Sequence, residues 1–72
     1  MKLFIFSTNI NTQQKVKSVH QLFNNDQNII DFSVDIEDID NVLRIEATDI
    51  INESDIINRV KNKGFNCVEL AD

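Results

Sequence analysis

The chain has no proline, no tryptophan and no tyrosine, and only one glycine and one cysteine in 72 residues. Without proline and with a lone glycine, nothing in it reads as a flexible linker or a low-complexity tail. One cysteine excludes an internal disulfide and points to an intracellular, cytoplasmic setting. No apolar run approaches the ~20 residues that span a bilayer. The run Leu3 Phe4 Ile5 Phe6 is too short for a signal sequence, and no small-residue cleavage site follows it. Cationic charge is also scarce, with 7 Lys and Arg against 12 Asp and Glu for a net charge of −5. Binding to nucleic acid or anionic membrane rests on clustered Lys and Arg, so neither is expected as a partner.

What remains is an ordinary globular composition, 42% hydrophobic and 26% charged. It predicts a single domain over residues 1–72 with one modest core, since a chain this short buries only about 60% of the surface it exposes when unfolded. Alternation of Phe4, Phe6 and Thr8 with Leu3, Ile5 and Ser7 predicts a first strand over Lys2 to Thr8. Asn11 or Thr12 can cap a helix that buries Val16, Val19 and Phe23 and turns Lys15, Lys17, Ser18 and Gln21 to water. Asn24 to Asn28 ends it, because such side chains bond their own backbone. Ile30, Phe32, Val34 and Ile36 alternate strictly and predict a second strand with one buried face. A polar turn around Asp38 to Asn41 leads to a third strand, Val42 to Ala47. Asn52 caps a second helix, Asp55 complements its dipole and Gly64 closes it. Asn66 to Leu70 completes a β-α-β-β-α-β order. That order is an α+β, ferredoxin-like sandwich, a four-stranded antiparallel sheet with the first and third strands central and both helices on one face.

The stretch Thr8 Asn9 Ile10 Asn11 Thr12 Gln13 Gln14 Lys15 Val16 lies between the first strand and the first helix. With Asp31 to Asp35, Asp40 to Glu46, Asn52 to Ile57 and the Lys63 Gly64 Phe65 exit, it resembles the heavy-metal-associated, copper-chaperone-like domains. In one branch of that family the loop reads Thr-Asn-Ile-Asn-Cys-x-x-Cys-Val. The resemblance implies the same fold and a Cys-x-x-Cys metal site, but Thr12 and Lys15 stand at the two Cys positions. Soft ions such as Cu(I) are held by thiolates, whose pKa a helix N-terminus lowers. A Thr hydroxyl and a Lys ammonium are no substitute, so no metal and no cofactor are expected there, and Thr12 and Lys15 read as vestigial positions.

The other chemistry-bearing residues carry bland readings. Cys67 is expected inward on the last strand as a small buried hydrophobe. His20 has no Cys, His or carboxylate at helical spacing to complete a metal site. Asp35, Glu37, Asp38 and Asp40 lack the turn Gly and distal Glu of a calcium loop and read as a solvated turn. No constellation for catalysis is present, so the chain is not expected to be an enzyme.

One feature rises above these. If Phe4 and Phe6 face the helices, Leu3 and Ile5 face the open side of the sheet, and Val68 and Leu70 join them. These four residues predict an interaction surface, with a protein partner or self-association. The expected function is therefore a non-catalytic interaction module on a heavy-metal-associated scaffold. Two alternatives stand beside it, a metal-transport chaperone using a site outside the family loop and a small-molecule regulatory domain.

Overall fold

Strand β1 (Lys2–Thr8) sends Phe6 and Thr8 to the interior and leaves Leu3 exposed, so its residues alternate between two faces. The computed structural model describes residues 1–70. After β1 come α1 (Gln13–Phe23), β2 (Ile29–Asp35), β3 (Val42–Ala47), α2 (Glu53–Asn62) and β4 (Cys67–Glu69). The strands form one antiparallel sheet in the order β2-β3-β1-β4, which makes the first and third strands central, the ferredoxin-like arrangement.

One face of this sheet is closed by the helices. Phe6, Leu43 and Ile45 meet Val19 and Phe23 of α1 and Ile56 and Val60 of α2, all at most 1% exposed. Burying each such side chain is worth roughly 1.5–3 kcal/mol, so these contacts set the sheet's inner face. Val16 only flanks this core, half-buried.

The helix ends follow from their caps. Thr12 is extended, and its hydroxyl accepts from the Lys15 N–H; Asn52 does the same for the Asp55 N–H. At the far end of α2 the Phe65 N–H reaches the Val60 carbonyl and the Gly64 N–H reaches that of Lys61, a paired closure that requires a left-handed residue. Gly64 supplies it with φ 101°.

Strand β2 departs from its expected pattern. Ile30 was expected on the buried face, yet it is 54% exposed and Ile29 packs on the core instead. A bulge between Ile29 and Asp31 opposes these two to Ala47 and Glu46, leaving Ile30 as the extra residue. The strand's entry is pinned because Thr48 donates through both its backbone N–H and its hydroxyl to Asn28, and the bulge takes up the slack. Phe32, Val34 and Ile36 are only half-buried, since β2 is an edge strand. Strand β4 is shorter than Asn66 to Leu70, although the Leu70 N–H still bonds the Ile5 carbonyl at 3.0 Å.

Candidate functional site

The loop after β1 is built from its own polar groups. Thr8 Oγ1 donates to the Asn41 carbonyl at 2.6 Å and accepts from the Ile10 N–H at 3.1 Å, anchoring the loop to the turn just before β3 as Ile10 enters the core. Asn41 sits at φ 45°, a left-handed position that Asn tolerates. Asn9 Oδ1 accepts from the Asn66 N–H at 2.9 Å. Thr12 Oγ1 is the helix cap, and Lys15 Nζ donates to Asn11 Oδ1 at 2.9 Å. The two positions marked by the sequence are therefore adjacent and mutually engaged. Their donor set is a hydroxyl, an amide oxygen and an ammonium, which is hard and cationic and does not fit a soft ion.

Cys67 lies opposite Thr8, at the root of this loop, but faces inward and is 1% exposed. Burial pushes its thiol up to about 11, with the Lys61 charge pulling it down and the Glu53 charge adding to the rise. It is thus a neutral thiol at ordinary pH, unlike the thiolate that binds metal or attacks.

The acidic turn uses its carboxylates locally. Asp35 Oδ1 accepts from the N–H groups of Glu37 and Asp38, and Asp38 Oδ1 from that of Asp40. His20 is exposed and sets its ring edge against Phe32, with centroids 5.1 Å apart. Among the described residues no group of three or more His, Cys, Asp or Glu side chains is gathered as a metal site.

The open side of the sheet carries the four apolar residues. Leu3 is 59% and Val68 61% exposed, while Ile5 and Leu70 are half-buried. The β1–β4 and β1–β3 registers put Val68 opposite Ser7, Leu3 opposite Glu46 and Ile5 opposite Arg44. The face is therefore divided, apolar over β1 and β4 and charged over β3, whose Arg44 and Glu46 meet Ser33 and Asp31 of β2.

Sequence reasoning passed over what borders this face. A half-open pocket of about 150 Å³, with more polar than apolar surface, is lined by Leu3, Phe4, Ile5, Leu70, Glu53 and Glu69. Glu53 comes from the first turn of α2, and Glu69 from β4 at the same parity as the inward Cys67. That parity was a usable signal, because a charged residue two places from an inward Cys must face the helix side. Partial desolvation, and next the hydrogen-bonded Glu69 carboxylate and its charge, hold the Glu53 carboxyl above the usual range.

No protein-family profile matches the chain, and no curated protein sequence does. Solved structures do. A yeast copper transporter domain, Ccc2a, determined in apo and Cu(I)-loaded states, superposes with a TM-score of 0.83 at 11% identity, covering 100% of this chain and 99% of that one. A copper binding domain from HMA7, a P-type ATPase, gives 0.83 at 19% identity over 99% and 96% of the two chains. The CsoZ metallochaperone gives 0.78 at 18% identity over 93% and 96%. At these identities the likeness establishes the fold, a four-stranded antiparallel sheet with two helices in the manner of copper-binding domains. Among the described residues no helix is long and apolar enough to cross a membrane.

Proposed function

We propose that this chain is a protein-interaction module, non-catalytic and independent of metal, on a scaffold shared with copper-binding domains. The observation that carries the reading is the loop, where Thr12 and Lys15 are occupied by hydrogen bonds within the chain. The single thiol is buried, with its pKa pushed up to about 11, which supports a loop without a thiolate for a soft ion. The apolar half of the open sheet face supplies the working surface instead. Leu3 and Val68 would contribute at most roughly 1.5–3 kcal/mol each when buried, and the half-buried Ile5 and Leu70 less, against an association cost on the order of 4–15 kcal/mol. That balance suits an assisted, reversible interface.

The reading is tested by comparing what is captured by three chains, the wild type, Leu3→Lys/Val68→Lys and Thr12→Ala/Lys15→Ala. A specific partner, or a second copy, held by the wild type and the loop variant but released by the sheet variant is the expected result. A partner released by the loop variant and held by the sheet variant would move the interface to the loop and overturn the assignment. Circular dichroism of each variant checks that the fold persists.

A further inference from the structure

The open face of the sheet carries a pattern that fits one occupant. Its side chains lie in rows across the strands, and the registers fix two of these rows. One holds Leu3 of β1, Glu46 of β3 and Asp31 of β2; the next, two residues along, holds Ile5, Arg44 and Ser33. Midway between them lies the level of Phe4 and Ile45, whose side chains pack into the core on the other face. Leu70, whose N–H bonds the Ile5 carbonyl, extends the second row towards the β4 edge. Arg44 and Glu46 are thus opposite charges two places apart on one strand. Among the described residues the ion pairs are Met1 with Asp49 and Arg59 with Asp26, and neither Arg44 nor Glu46 takes part in one.

We propose that this face receives the same face of a second copy of the chain, related by a two-fold axis that crosses the strands at the Phe4–Ile45 level. The inference rests on the interaction reading above and names the partner. Such an axis reverses strand direction but keeps β1 over β1 and β3 over β3, so each row of one copy meets the other row of its mate. Leu3 of one copy then meets Ile5 of the other, and Arg44 meets Glu46, each contact occurring twice. On β2, Asp31 meets Ser33, so no like charges are opposed. An axis parallel to the strands fails these conditions. Placed between β1 and β3 it lays Glu46 on Leu3 and Arg44 on Ile5, which buries charges without partners; placed along β3 it sets each charge on its own kind. Sheets packed face to face keep their strands within about 30° of alignment, so the pairing holds at the centre, where β1 and β3 lie. The net charge of −5 on each copy opposes association, but salt screens that repulsion beyond about 8 Å. A sheet with strands of up to seven residues and four strands wide spans roughly 23 by 19 Å, which places the contact at the small, reversible end of specific interfaces.

The test is sedimentation equilibrium of the wild type and of two charge variants, Arg44→Glu and Glu46→Arg, at concentrations up to about 1 mM. Arg44 is exposed and Glu46 half-buried, so both chains should fold, which circular dichroism checks. The wild type should dimerise as its concentration rises. Each variant alone opposes like charges twice and should associate about a hundredfold more weakly. An equimolar mixture of the two should recover the wild-type affinity, because the acidic pair of one then meets the basic pair of the other. Mixing cannot repair a lost fold, so this rescue reads the axis itself. A wild type that stays monomeric, a dimer indifferent to both variants, or a mixture as weak as its parts would each overturn the proposal. The Leu3→Lys/Val68→Lys capture experiment reads the sheet face for any partner. A monomeric wild type whose captured protein is released by that variant would remove the second copy and leave the interaction reading standing.

Discussion

At the C-terminal end of β1, the side chains of Thr8, Asn9, Asn11, Thr12 and Lys15 all have hydrogen-bond partners within the chain. At its N-terminal half, Glu53 and Glu69 border a half-open, mainly polar pocket and take part in no ion pair among the described residues. One strand thus joins a region whose polar groups are paired within the loop to one where two carboxyl groups stand together without a counter-charge. The resemblance to metal-binding domains draws attention to the first, but a ligand is recruited by groups that lack partners. In this chain the proposed working surface is the apolar half of the open sheet face, around Leu3 and Val68. The scaffold is shared with copper-binding domains, and its chemistry is set by the side chains placed on it.

The largest expected change comes from restoring softness to the loop. Thr12→Cys/Lys15→Cys removes the ammonium and puts two thiols at the N-terminus of α1, where thiolates are favoured. The variant should go from holding no Cu(I) to holding one ion per chain by native mass spectrometry. Failure to take up the ion while folded would mean that more than these two side chains separates the loop from a metal site.

Next in size is the loop's anchor. Thr8→Val keeps the shape but leaves the Ile10 N–H and the Asn41 carbonyl without the Thr8 hydroxyl, at a cost of about 1–3 kcal/mol, read as a lower urea midpoint. An unchanged midpoint would mean the hydroxyl bonds do not hold the loop. Thr12→Ala removes the α1 cap and should cost about 1 kcal/mol in the same measurement. Equal stability of this variant and the wild type would show the cap to be idle.

The smallest effect separates the two regions by pH. Glu53 holds its proton more tightly in the folded chain, so its stabilising share is full below the ordinary value of 4.5 and is lost as pH rises through the raised one. Glu53→Gln should therefore raise the urea midpoint slightly near neutral pH and leave it level with wild type in acid. Asp26 works in the opposite sense. Its hydrogen bonds to Arg59 and the Asn28 N–H hold it below the usual range, so its share is present above 3.8 and lost as pH falls through the lowered value. Glu53→Gln less stable than wild type at neutral pH would overturn the view that the carboxyl pair is uncompensated.

Much of the architecture is local in origin and so was legible in the sequence. Phe6 and Thr8 alternate with Leu3 and Ile5, Asn52 and Gly64 mark the ends of a helix, and each signal acts over a few residues. The bulge at Ile30 was not legible, because it depends on Asn28 meeting Thr48, 20 residues away. The inward Cys67 was read correctly as a buried thiol. The pairing of Glu53 with Glu69 was not legible because the two are far apart in sequence and no local pattern links them. Only the packing of α2 against β4 brings them together.

The most direct test of the account is native mass spectrometry of the reduced wild-type chain, given Cu(I) anaerobically with a competing chelator and compared with Cys67→Ser. The account predicts that both keep their metal-free mass, because the loop is satisfied from within and the thiol is buried. One retained Cu(I) per chain or per dimer, lost on Cys67→Ser, would contradict it and return the domain to the metal carriers whose fold it shares.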